Sequence, residues 1–596
     1  IMPSRPSPAP DGERFSYYGM RAILVLYITT STTDWNPGLG WDNADALALY
    51  GWYTMLVYVM SIPGGIIADK FIGQKKSVLL GGLILVAGHG ILAVEQMWAF
   101  YLGLALIILG VGGLKPNIST MVGGLYKQGD IRRDKGFIIF YIGINLGAAL
   151  ASLAVGYVGE KIGWHYGFGM AGIGMLLGQL IFMLGQKHLE GVGEKPVVGE
   201  QSEESGSSFG QLFVKIFTHK VALIVTCLLL LSSIGIFALL SVGYGLLGIF
   251  LAIVVGMMIA IYSELERIEK DRFLVLLLSF ILVIVFWGAF EQAGGLMNIY
   301  TAKKVNLNVL GYDLPASVFQ SVNAIFIILF GTLVANFWAK RKKKGKESSS
   351  LFKMAIGTII MGVGFLAMVK ASLEVLSSGE AALIWIILAY FLHTIGELSS
   401  SPVALSFITK LAPAKYVSIM MGVYFAATGL GNKVAGAIGE ASQTEPIKVE
   451  IAQNASSSQL IFANTDSIAN GSNFEAQAQA YVDGSNVIIT DTLGTDISSL
   501  LTLDEENKKE LLAQMNTEDH SSEEPLRLNF EFESKDKIKG DVSAYSSKVE
   551  VFKVANKREL KTFLFIFVFT LVVGLIVIAL LKQLKKLTHG IEEAEK

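Results

Sequence analysis

The sequence predicts an all-α membrane protein of many spans with one strand-rich domain outside the lipid. Three observations lead there. Of 596 residues, 52% are hydrophobic and 16% charged, with a mean hydropathy of +0.53, which is more apolar material than a soluble protein of this size buries. Apolar runs recur at the length of about 20 residues that crosses a hydrocarbon layer of ~30 Å. Charge is segregated: residues 440–556 hold 21 acidic and 9 basic residues, a net of −12, within a chain whose total is −2. A soluble protein and a receptor with a single anchor are both excluded. The 63 glycines agree, because helices pack closely in lipid through small residues. The lone Cys227 lies in an apolar run and leaves no partner for an intrachain disulfide.

Spans are expected near 13–29, 47–67, 77–95, 97–117, 136–158, 165–187, 217–239, 242–262, 272–299, 316–339, 351–370, 381–409, 415–438 and 559–583, fourteen in all. Residues 1–12 are Pro-rich and polar, and the first apolar run starts at Phe15. A helix from Phe15 to Thr29 rises only ~22 Å. Residues 1–12 are therefore expected to be an atypical or non-native N-terminus, with native sequence missing upstream. Residues 13–189 form a first six-helix bundle, and 190–216 a polar, Gly/Ser-rich linker of flexible type. Residues 217–262 form an accessory two-helix hairpin. Residues 272–439 and 558–583 form a second six-helix bundle, interrupted by a domain at 440–557 and followed by a tail at 584–596.

Basic residues set the orientation, since Lys and Arg in short loops stay cytoplasmic. Lys70, Lys75 and Lys76, then Arg132, Arg133 and Lys135, then Lys340 to Lys346, then Lys582, Lys585 and Lys586 share one face if every span crosses. Both termini are then cytoplasmic, in a cell (inner) membrane, and 440–557 lies on the other side. Within it, SNVIIT (485–490), LNFEFES (528–534) and KVEVFKV (548–554) alternate with period two and predict strands. SSLLTLDEENKKELLAQM (498–515) has helical spacing behind an Asp504 or Thr502 cap and predicts a helix.

Charges within spans cost at least ~2.5–3.5 kcal/mol each on insertion scales, so they are functional candidates by default. Glu13, Arg14, Tyr17 and Arg21 share a helix face. Lys115 precedes Pro116, which opens the helix. Glu291 and Glu397 lie in the second bundle, whereas Arg21 and Lys115 lie in the first. A ligand with a carboxylate at one end and an ammonium at the other fits between them, at the interface where transporters built from repeats bind cargo. Amino acids and peptides qualify. Glu13 or Glu291, facing Arg14 or Lys115, is expected to bind and release a proton. His89 and His393 lack clustered partners and read as satisfied core histidines, and Trp287, Tyr58 and Tyr141 read on spacing alone as packing. GVGGLKPN is no phosphate loop, and no zinc spacing exists.

ERFSYYGMRA (13–22) resembles the proton-dependent oligopeptide transporter family of the major facilitator superfamily. GGIIADKFIGQKK (64–76) looks like the superfamily's loop between helices two and three. GGLKPN (112–117), FYIGINLGA (140–148), FWGAFEQ (286–292), FQSVNAIFI (319–327) and GELSSSPVALS (396–406) follow in order. The resemblance covers 13–190, 270–440 and the last helix, and the hairpin looks like the two extra helices of bacterial members. It implies a major facilitator fold of twelve core helices and a proton-coupled symporter importing di- and tripeptides by alternating access. It implies that Arg21 and Lys115 receive the peptide carboxylate, that Glu397 takes the amino group, and that Tyr17, Tyr58, Asn145, Trp287, Asn323 and Ser401 line the site. Glu13, Arg14, Lys115 and Glu291 would couple protons, and Asp69 would serve a gating loop. No cofactor is expected besides the proton as coupling ion, and the expected partners are di- and tripeptides, protons and membrane lipid; nucleic acid is not expected, nor is enzymatic activity. The family's E-x-x-E-R motif would place a glutamate at position 10, where this sequence has Pro10, and Gly51 stands where animal members carry a proton-linked histidine. The competing expectations are a carrier of another zwitterion or anion, such as a modified amino acid or nitrate, and a receptor reading peptides through the outer domain.

Overall fold

In a computed structural model of the chain, the described residues are 11–32, 34–124, 132–186, 189, 193–194, 209–239, 241–443, 447–452, 465–483, 486–503, 508–509, 511, 526–534, 542–551 and 556–591. The first bundle consists of α1 (Asp11–Thr29), α2 (Asn43–Val59), α3 (Ser61–Ile67), α4 (Gln74–Leu92), α5 (Met97–Gly124), α6 (Arg132–Lys161) and α7 (Trp164–Gly185). After α8 (Phe209–Thr218), α9 (Lys220–Leu239) and α10 (Val242–Glu264) pair as a hairpin. The second bundle holds α11 (Arg267–Phe290), α12 (Leu296–Lys304), α13 (Ser321–Lys343), α14 (Ser350–Ser378), α15 (Leu383–Leu411), α16 (Val417–Ser442) and the last helix, Asn556–Leu587.

Twelve helical segments among the described residues are long and apolar enough to cross a membrane, so this is a multi-pass membrane protein. Of the fourteen expected spans, α1 and α16 fall outside that set. The first carries Glu13, Arg14 and Arg21 and the second Lys433, yet both are packed between other helices. The first span, expected over 13–29 with its apolar run only from Phe15, begins at Asp11: α1 holds Glu13 and Arg14 in its first turns, as the expected span does. Its 19 residues rise about 28 Å, close to the layer's thickness.

Helices α2 and α3 run on into a π-helical turn, Ala68–Ile72, which stops at Gly73 with φ +82°. That left-handed conformation suits glycine and turns the chain into α4. The two bundles approach closely where α2 crosses α16: a Cβ on Gly51 would lie 2.9 Å from Gly436 Cα. The crossing itself therefore accounts for a glycine at position 51. Hydrogen bonds join the bundles on the face away from the linker. Asn43 Nδ2 donates to Gln443 Oε1 (3.1 Å), Lys303 Nζ to Asn43 Oδ1 (3.0 Å), and Glu160 accepts from the amides of Ala316 (3.1 Å) and Ser317 (2.7 Å). On the linker face, Lys75 pairs with Glu194 and Lys585 with Glu347, which gathers basic loops from both bundles on one side.

The insert is a six-stranded antiparallel sheet. Short strand pairs inside the second bundle, β1 (Val305–Asn306) to β4 (Ala381–Ala382), precede it in the chain. Its strands are β5 (Ile447–Ile451), β6 (Phe474–Asp483), β7 (Asn486–Asp491), β8 (Leu501–Thr502), β9 (Leu526–Ser534) and β10 (Tyr545–Val551), in the order β7-β6-β9-β10-β5-β8. Strands lie at all three expected places, and three more, β5, β6 and β8, have no counterpart in the period-two stretches. The inward side of β6 is largely alanine: Ala476 pairs with Phe530, Ala478 with Leu528 and Ala480 with Leu526. Small residues fill the sheet opposite large ones, so hydrophobicity alone does not reveal the strand. The helix expected at 498–515 is corrected at its start, where Ser498–Leu500 is a 3-10 turn and Leu501–Thr502 a strand. Asp504 and most of the remainder lie outside the described residues.

Candidate functional site

The site forms where the seventh helix of the twelve-helix core breaks. The α11 helix ends at Phe290, Glu291–Ala293 is a single 3-10 turn, and α12 resumes only after Gly294 and Gly295. A side chain on Gly294 would run into the Tyr50 hydroxyl, so the glycines let another helix approach the gap. Glu291, only 2% exposed, is held there from the other bundle. Arg21 Nη1 donates to its Oε1 at 2.8 Å, and Tyr50 Oη donates to the same oxygen at 2.6 Å. Asn298 Nδ2 donates to the carbonyl of Ala22 (2.8 Å) and Gln292 Nε2 to that of Ala435 (3.0 Å), so the broken segment is fixed to α1 and α16 at once. Discontinuous helices at the bundle interface are where transporters place their cargo.

Three further groups surround this pair. Glu13 and Arg14 form an ion pair of 3.2 Å, Arg14 Nη1 donates to Tyr18 Oη at 3.4 Å, and Arg21 lies 5.1 Å above the Tyr18 ring. The Lys115 ammonium sits 3.7 Å above the Tyr58 ring, an attraction that strengthens when desolvated. In the second bundle, Asn323 Nδ2 donates to Glu397 Oε2 at 2.9 Å and to Thr394 Oγ1 at 3.0 Å. Ser401 follows Glu397 by one turn of α15. Asn145 and Tyr17 are buried, and Trp287 packs edge to face on Phe286 and Phe290. Asp69 is exposed on the π-helical turn, accepting from Gln74 at 3.3 Å, apart from the others.

Several expectations are corrected. Glu291 faces Arg21 and Tyr50 rather than Arg14 or Lys115, because the break aims it at α1 and α2. His89 and His393 are not satisfied core histidines: both are buried, and neither ring nitrogen of either finds a hydrogen-bond partner. The side chain of Tyr141 lies outside the described residues. Tyr50 and Lys433 were overlooked. A tyrosine in an apolar helix gives no signal until its partner is known, whereas Lys433 met the rule already applied to Lys115, an ionisable residue inside a span.

The arrangement offers both charges to a ligand. The Arg21 Nε and the hydroxyls of Tyr17 and Tyr53 are buried without a hydrogen-bond partner. Buried polar groups are normally paired, so these donors mark where an external acceptor is wanted. Glu397 supplies the opposite charge from the facing bundle.

A model of the POT family matches residues 75–455. The chain is 38% identical over 442 residues to a Bacillus subtilis (strain 168) protein named Uncharacterized transporter YclF, covering 72% of this chain and 87% of that protein. It is 34% identical over 432 residues to a Di-/tripeptide transporter of Lactococcus lactis subsp. cremoris, covering 70% and 84%. It also resembles the crystal structure of a peptide transporter POT in complex with sulfate, with a TM-score of 0.67 and 28% identity, over 97% of this chain and 93% of that one.

Proposed function

As this chain belongs to the POT family, we propose that it imports di- and tripeptides across a cell membrane by alternating access, driven by protons. The observation that carries the proposal is the ion pair between Arg21 and Glu291, which joins the two bundles at the break between α11 and α12. A peptide carboxylate arriving at Arg21 competes with Glu291 for one guanidinium. Glu291 cannot stay charged beside the newcomer at the same cost, so the exchange is eased when a proton takes the place of the lost ion pair. The peptide carboxylate then holds Arg21 while Tyr17 and Tyr53 offer hydroxyls, and its ammonium meets Glu397. Lys115 and the Glu13–Arg14 pair balance charge on the same side of the cleft.

With Glu291 protonated, the bond that ties α1 and α2 to the broken helix is relaxed, and the bundles can rock about the bound peptide. Release reverses the sequence: the peptide leaves, the proton leaves Glu291, and the pair with Arg21 reforms. No prosthetic group is needed for these steps. Both termini lie on the cytoplasmic side in this proposal, with the basic loops, and the sheet domain lies outside.

The test is uptake of a labelled dipeptide by proteoliposomes under an imposed inward proton gradient. Accumulation above equilibrium is expected, with loss when the gradient is dissipated. Free dipeptides should compete and doubly capped ones should not. Equal competition by capped peptides would refute the electrostatic clamp, and accumulation without a gradient would refute the coupling.

A further inference from the structure

Lys433 lies on α16 and takes no part in the steps above, yet it is a lysine in a helix packed between other helices, with only 3% of its surface exposed. Its ammonium has no hydrogen-bond partner. It sits 4.6 Å above the ring of Trp52 and 5.0 Å above the ring of Tyr244, and those rings meet edge to face at 5.3 Å. The three residues come from three parts of the molecule: Lys433 from the second bundle, Trp52 from the first, and Tyr244 from the start of α10 in the accessory hairpin. The hairpin is fitted closely to this place, since a Cβ on Gly243 would lie 3.0 Å from Trp52. The cage stands beside the crossing of Gly51 and Gly436, with Trp52 two residues along α2 from Tyr50.

Packing alone does not explain a lysine here. An apolar side chain of similar length would fill the space without desolvating a charge, and replacing buried charges with apolar groups is often neutral or stabilising. A lysine near a helix end ordinarily extends its head to water, whereas this one keeps its ammonium buried between two rings. Glu440, seven residues on, is the carboxylate that acts on it electrostatically. We infer that Lys433 is a positioning residue of the transport cycle, a cation clamp that holds α2 against α16 in the state closed on the side away from the linker. The hairpin, through Tyr244, completes the clamp and so biases the gate. The inference rests on the reading of the chain as an alternating-access transporter. It predicts that opening on that side separates Lys433 from Trp52.

The test uses the full chain with Cys227→Ser and spin labels at Trp35→Cys and Leu310→Cys, which are exposed on the two bundles at that face (68% and 94%). In liposomes, Lys433→Met and Trp52→Leu should each raise the long-distance population at least threefold over the parent. Dipeptide turnover should fall severalfold with KM little changed. Lys433→Arg, which keeps the cation and stacks on the rings, should restore both readouts, and Tyr244→Leu should give a smaller shift of the same sign. Parent-like distances and turnover in Lys433→Met and Trp52→Leu would overturn the clamp. A parent that moves no dipeptide would instead refute the transport reading, while the distances would still decide the clamp.

Discussion

At the scale of single residues, the site is built from charges that neutralise one another until a ligand intervenes. Tyr50 is the least expected of them. Its hydroxyl donates to Glu291 at 2.6 Å, and a hydrogen bond to a charged group contributes about 1.5–3 kcal/mol. Tyr50→Phe should therefore slow gradient-driven uptake roughly tenfold or more, in protein that inserts normally. Uptake equal to the parent's would show the bond to be idle. Glu397→Gln should keep the shape and the hydrogen bond from Asn323 while removing the charge. The competition constant for free dipeptides should then worsen by about tenfold, and that for peptides with a blocked amino end should change little, a contrast read by inhibition of labelled uptake. The factor reflects loss of a partly desolvated ion pair. Arg21, Lys115, Glu291 and Glu397 were legible as candidates because a charge in a span is expensive. Their pairing was not, since spacing along a helix says nothing about which helix lies opposite.

At the scale of elements, close approaches decide what can move. The α2–α16 crossing has no room at Gly51, and overpacking such a contact typically costs about 1–3 kcal/mol. Gly51→Val should wedge the bundles apart and lower dipeptide uptake per inserted molecule. Undiminished uptake would mean that the crossing is not a gate contact. On the linker face, Lys585 donates to Glu347 at 3.1 Å and pins the last helix to the turn between α13 and α14. Burial alone would raise the Glu347 carboxyl, but hydrogen bonds from Ser349 and Lys585 prevail and hold it below its ordinary range. A depressed carboxyl adds stability above its unfolded value, and that stability is lost as pH falls through the folded one. The melting temperature of the purified protein should thus drop in acid, and Glu347→Gln should remove a small part of that drop. Both partners are about one-third exposed, so the pair contributes roughly 0–1 kcal/mol. An identical acid dependence in the variant would discount the pair.

At the scale of the whole molecule, the sheet domain and the helical core have separate hydrophobic cores, and the roots of the domain lie together. Arg558 Nη1 donates to the Gln443 carbonyl at 3.1 Å, and Gln443 Nε2 to Glu559 Oε1 at 3.4 Å. A short linker can therefore replace the insert. Its deletion should leave dipeptide uptake near normal, while the isolated insert unfolds cooperatively; complete loss of uptake in a properly inserted deletion variant would make the domain essential. The insert also touches the first bundle, where Asn473 Nδ2 donates to Thr32 Oγ1 at 3.3 Å, so deletion also removes a contact across the outer face. Sequence by itself determined the membrane class, the rhythm of spans and the strand-rich character of the insert, because each is written in local composition and period; the twelve-helix core with its hairpin followed from motifs that resemble a known family. Local signals also marked which residues carry costly charge. Only the tertiary structure decided that helix seven breaks at Glu291, that Arg21 and Tyr50 meet it there, and that Gly51 faces Gly436. It likewise brought Lys433 between rings from the other bundle and the hairpin. Those are contacts between segments hundreds of residues apart, fixed by how helices cross and not by what any one helix contains.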